Sequence, residues 1–159
     1  MKRQQNRVPL KQLNLADRFL FAEVTEDEQA NRDILSIILG REIPLLDKNE
    51  TEKEGRISPL ARSVRMDVYS IDEDNVVYNT EMQDQKRGDL AKRSRYYQAL
   101  IDTGLLEPGT VDCGELNQSY IIMIATFDIF GYGRYRYTFE AKCKKSRDVS
   151  LKTEQCGFF

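Results

Sequence analysis

With 159 residues, 40% apolar and 31% charged, the chain has the size and composition of one globular domain with a real core, and too little length for two. Its formal charge of -2 provides no whole-molecule basic field, so any nucleic-acid contact must come from a local patch. Histidine is absent, which excludes histidine-based zinc sites, Ser-His or Cys-His catalysis and a histidine general base; metal chemistry would have to rest on carboxylates.

Residues 1–15 are polar and read as a flexible N-terminal segment. Lys2, Arg3 and Arg7 make it basic, but no apolar signal core follows, and no run in the chain is long enough to span a bilayer. Asp17 opens a short helix carrying Phe19, Leu20, Phe21 and Val24. Thr25-Glu26-Asp27-Glu28 starts a second helix, with Ile34, Leu35, Ile37, Ile38 and Leu39 on its apolar stripe and Gly40 as its C-cap. The polar stretch from Asp47 to Gly55 reads as a loop.

Two apolar runs follow, Val64–Ile71 and Val76–Gln83, separated by Asp72-Glu73-Asp74-Asn75, and this pattern predicts a β-hairpin. Side chains alternate along a strand, so Glu81 and Gln83 share a face while Met82 points to the other. Asp67 on the first strand can lie beside Glu81 if the register permits. Two converging carboxylates are costly without a cation between them, and carboxylates with waters are the oxygen ligands that Mg²⁺ or Mn²⁺ prefers. The competing explanation is simple, because acidic residues on the exposed face of a hairpin are common.

Beyond Gln83, Asp84–Gly88 forms a turn and Asp89 is the expected N-cap of a helix running to about Thr103, with Gly104 ending it. Leu90, Tyr97, Leu100 and Ile101 fall on one face of this helix, which assigns Tyr97 to the core and Tyr96 to its rim. Lys86, Arg87, Lys92, Arg93 and Arg95 form a basic segment that either contacts a DNA backbone or is a solvated helix face. Ser119–Phe127 is an almost unbroken apolar run that suits a central strand covered on both faces. Tyrosines interleaved with Arg134 and Arg136 over residues 132–137 fit either a surface tracking single-stranded DNA or an exposed strand-edge turn, and Tyr137–Ala141 reads as a final edge strand. The three cysteines, Cys113, Cys143 and Cys156, share no metal or redox spacing and suit a reduced, cytoplasmic protein. Together the elements predict a single α/β domain with a small mixed β-sheet flanked by helices.

The blocks RMDVYS, YNTEMQ, KRSRYYQALID, SYIIMIATFDIFG and YTFEAKC, in that order, resemble the PD-(D/E)xK nuclease-like transposases, also called recombination-promoting nucleases. The resemblance runs from about Asp17 to Cys143. It implies a restriction-endonuclease-like core over residues 16–145 and Mg²⁺- or Mn²⁺-dependent hydrolysis of DNA phosphodiesters in recombination. On it, Asp67 and Glu81 are the metal ligands, and Gln83 occupies the position where related nucleases carry a catalytic lysine. Asp17 matches an acidic position that completes the metal shell, with Glu23 as its competitor.

Glutamine can orient a water or donate to a phosphate, but it cannot act as an acid or base. A homodimer would let two such sites cut both strands symmetrically. Family members run on past the YTFE block, whereas residues 146–159 do not resemble that continuation; the expectation is a truncated or frameshifted tail, or a naturally short member. The alternatives to an endonuclease are a catalytically decayed DNA-binding or assembly module of a mobile element, and a fragment without function.

Overall fold

The computed structural model describes residues 14–55, 64–106, 112–146, 148–149 and the backbone of 155–158. Most of the predicted flexible segment, residues 1–13, lies outside the described residues.

Helix α1, Arg18–Glu26, begins where the Asp17 carboxylate accepts the amides of Phe19 and Leu20 at 3.0 and 3.2 Å. Asp27 ends α1 and also caps α2, Glu28–Leu39, by accepting the Ala30 amide at 2.8 Å. Gly40 terminates α2 at φ 70°, a left-handed conformation that glycine adopts at little cost. Of the α2 stripe only Leu35 is fully buried, and Ile37 points outward at 79% exposure.

The six strands among the described residues form one mixed sheet in the order β1-β2-β3-β4-β6-β5. β1 is Leu46–Gly55, β2 Val64–Asp72, β3 Val77–Gln83, β4 Ser119–Ala125, β5 Thr138–Phe139 and β6 Gln155–Phe158. β3, β4 and β6 run parallel to one another, and the other pairings are antiparallel.

Three elements depart from expectation. The stretch read as a loop from Asp47 to Gly55 is most of β1, an edge strand paired along β2. Its charges suit an edge, where they discourage pairing with another chain, and Lys53 covers the Tyr69 ring at 3.4 Å. Helix α3, Leu90–Leu105, runs through Gly104, and its Asp89 cap uses the main-chain carbonyl, which accepts the Lys92 and Arg93 amides, rather than the carboxylate. β6 arises from the tail, for which no element was expected.

Two cores sandwich the sheet. Met66, Tyr69, Val77, Ile121 and Met123 meet Tyr97, Leu100 and Ile101 of α3 on one side. Leu35 of α2 packs with Ile43, Leu46, Val76, Tyr78 and Ile122 on the other. α2 is pinned by a buried polar triad: Asn31 Nδ2 donates to Asn49 at 2.9 Å and to Ser70 at 2.8 Å, and Ser70 Oγ donates to Asn49 at 3.0 Å. The hairpin turn is built on Asp72, which is fully buried and accepts the amides of Asp74 and Val76 and the Tyr78 hydroxyl. Asp72 is therefore a structural residue of the turn. No described helix is long and apolar enough to cross a membrane.

Candidate active site

The β2–β3 register runs from Ile71↔Val77 to Val68↔Thr80, which sets Asp67 and Glu81 against each other at the next step. There the carboxylates take over from the ladder. The Asp67 amide donates to Glu81 Oε1 at 3.2 Å, and the Met82 amide donates to Asp67 Oδ2 at 3.1 Å. Both residues are buried, at 7% and 3% exposure, and so is Gln83 at 6%. They open on a cleft of about 290 Å³ that is also lined by Ala16, Arg18, Arg65, Met82, Asp84, Arg87 and Arg93.

The electrostatics of the pair follow from this burial. Desolvation raises the Asp67 carboxyl above its usual range, against the pull of the nearby Arg18 guanidinium. Glu81 is pushed up to about 7, first by desolvation and then by the negative charge of Asp67; the Asp67 amide, Arg93 and Tyr97 oppose the shift. Two guanidiniums balance the pair. Arg18 reaches Asp67 Oδ1 at 2.9 Å and Arg93 lies 3.5 Å from Glu81 Oε2.

Gln83 shares the sheet face of Glu81, and both ends of its amide are engaged. Its Oε1 accepts from Arg93 Nη1 at 2.7 Å, and its Nε2 donates to the Gln85 carbonyl at 2.8 Å. Arg93 also donates to the Tyr97 hydroxyl at 2.8 Å, and its guanidinium lies 5.4 Å from the Tyr97 ring centre.

The structure thus brings Asp67, Glu81, Gln83, Arg87 and Arg93 to one cleft. It does not bring Asp17 or Glu23 there: Asp17 spends its carboxylate capping α1, and Glu23 is exposed on the same helix. Lys86, Lys92 and Arg95 are exposed nearby in sequence but do not line the cleft. Sequence reasoning missed Arg18, whose only signal was its place beside a helix cap. It also missed Glu52, which lies at φ 53° between the register pairs Thr51↔Val68 and Lys53↔Met66, binds Arg65 at 3.2 Å and lies 4.0 Å from Arg18.

A hard divalent cation fits this donor set. Asp67 and Glu81 are oxygen donors, Glu81 is already lifted by desolvation and then by the charge of Asp67, and Mg²⁺ is commonly held by one or two carboxylates with water and substrate phosphate completing its shell. No group of three or more acidic or cysteine side chains that could hold a metal is present among the described residues.

The 128–137 loop leaves the sheet just beyond β4 and is fastened by Asp128, which accepts the amides of Phe130, Gly131 and Gly133 and the Tyr137 hydroxyl. These donors hold its carboxyl down at about 2. Tyr132 and Tyr135 are exposed on this loop.

A profile of the PD-(D/E)XK nuclease family transposase matches residues 13–151. No curated protein and no solved structure matches the chain.

Proposed function

Because this chain belongs to the PD-(D/E)XK nuclease family transposases, a family whose nuclease function is tied to transposition, we propose that it is a Mg²⁺- or Mn²⁺-dependent DNA endonuclease centred on Asp67 and Glu81. The observation that carries the reading is the buried carboxylate pair, joined through the Asp67 and Met82 amides and open to a cleft large enough for a phosphate group.

Asp67 and Glu81 would hold the cation, which when bound would lower the pKa of a coordinated water and neutralise charge on the phosphate. For that, Glu81 must release its proton, and Arg18, half exposed and seated on Asp67 Oδ1, must yield its place. Gln83 takes no proton. Lys86, Arg87, Lys92 and Arg95 are exposed cations on and before α3, and they attract the DNA backbone without selecting sequence. The duplex then approaches from the α3 side of the sheet, where Arg87 reaches the cleft. A homodimer would cut both strands symmetrically.

Supercoiled plasmid incubated with the protein in Mg²⁺, Mn²⁺ or EDTA, beside an Asp67→Ala, Glu81→Ala double variant, tests this reading. Metal-dependent nicking by the wild type alone is the expected result. Equal nicking by both proteins would place the activity elsewhere. No nicking by a wild type that melts cooperatively would leave a non-catalytic DNA-binding module as the function.

A further inference from the structure

Arg93 falls in the basic run that sequence alone reads either as a DNA-backbone contact or as a solvated helix face, yet it behaves as neither. Its side chain is 25% exposed, its Nη1 is bound to Gln83 at 2.7 Å and its Nη2 to Tyr97 at 2.8 Å, and the same Nη2 lies 3.5 Å from Glu81. Three neighbours hold it at the cleft wall, whereas Lys92 and Arg95, one and two positions away, are exposed and outside the cleft. Gln83 is equally committed, since its amide spans Arg93 and the Gln85 carbonyl. The glutamine therefore lacks charge and is also already occupied, while the guanidinium bonded to it is permanently charged.

We propose that Arg93 is the catalytic cation of the cleft: from α3 it presents its guanidinium to the scissile phosphate, with Gln83 and Tyr97 as the brackets that fix its plane. The inference rests on the endonuclease reading above and assigns that site its phosphate-binding side chain. Hydrolysis adds negative charge at phosphorus, and a cation held in place before the substrate arrives stabilises that charge without reorganising during the reaction.

The test compares single-turnover cleavage at saturating DNA, DNA affinity in EDTA and thermal melting for wild type, Arg93→Gln, Arg93→Lys and the Arg93→Gln, Gln83→Lys double variant. Arg93→Gln is expected to slow cleavage about 10²-fold with DNA affinity unchanged. The double variant, which returns a positive charge to the position that Arg93 grips, recovers most of that rate. Weakened DNA binding with an unchanged saturated rate would make Arg93 a backbone clamp and overturn the proposal. So would a double variant as slow as Arg93→Gln.

If Arg93→Gln fails to melt cooperatively, Arg93→Lys decides. Cleavage slowed measurably but by no more than about tenfold, a loss of roughly one transition-state contact, supports the role, and either an unchanged rate or a loss as deep as that of Asp67→Ala overturns it. A wild type that cleaves while the Arg93 variants keep its rate removes this role and leaves the endonuclease standing; a wild type that does not cleave removes both.

Discussion

The main-chain amide of Asp67 donates to Glu81 Oε1 at 3.2 Å, one step beyond the last register pair of the β2–β3 hairpin. A carboxylate there does the work of a strand carbonyl, and the Met82 amide, bound to Asp67 Oδ2, completes the exchange. The hairpin's ladder therefore ends in two acidic side chains, which places both on the wall of one cleft.

This arrangement makes the metal-free protein sensitive to pH. Glu81 titrates at about 7 when folded, against 4.5 for its ordinary value, so between these the folded state holds a proton that the unfolded chain has released. Stability from this group is present below the lower value and is lost as pH rises through the upper one. Asp67, also raised, acts in the same direction. Asp128, held down at about 2, changes stability only in acid, below this window. In EDTA the melting temperature should fall between about pH 5 and pH 8, and Glu81→Gln should flatten much of that slope. A melting temperature that rises over the same interval in the wild type would refute the assignment.

Arg18 occupies ground that a cation would share. Its side chain is 53% exposed, so Arg18→Ala should cost under about 1 kcal/mol of stability in chemical denaturation. The same variant should bind Mn²⁺ more tightly, because no guanidinium is left to displace from Asp67 Oδ1. Unchanged or weaker Mn²⁺ affinity would mean that arginine and metal do not compete.

Asn31 joins α2 to β1 and β2 through donors to Asn49 and Ser70, with no exposed surface. Asn31→Ala leaves the acceptors of half-buried Asn49 and buried Ser70 short of a donor, and should cost about 1–3 kcal/mol in urea unfolding. A near-neutral value would show that the triad contributes little.

Lys92 and Arg95 are exposed on α3 outside the cleft. If they meet phosphates, the double replacement by glutamine should weaken binding of unrelated duplexes alike and lower the salt slope by about 2, one for each contact. An unchanged slope would assign them to a merely solvated face.

The hairpin was legible because Val64–Ile71 and Val76–Gln83 are apolar runs broken by turn residues, and α1 and α2 because Asp17, Asp27 and Gly40 mark their ends chemically. β1 was not: its sequence, LDKNETEKEG, has no buried face to impose alternation, and it is a strand because β2 offers it a ladder. β6 is four residues long and owes its place to the parallel edge of β4, a long-range pairing that no local pattern announces. At the site, the spacing of Asp67, Glu81 and Gln83 along two adjacent strands could be read directly. The ties of Arg18 and Arg93 could not, because a charged residue in a polar run looks the same whether it faces water or closes over a buried carboxylate.

A metal-dependent endonuclease centred here requires Asp67 and Glu81 to share one cation. Mn²⁺ titration followed by electron paramagnetic resonance at about pH 8, where Glu81 is largely deprotonated, compares wild type with Asp67→Asn and Glu81→Gln. Saturable binding by the wild type that either substitution abolishes is the predicted result. Binding that survives both substitutions, or no binding by a folded wild type, would contradict it.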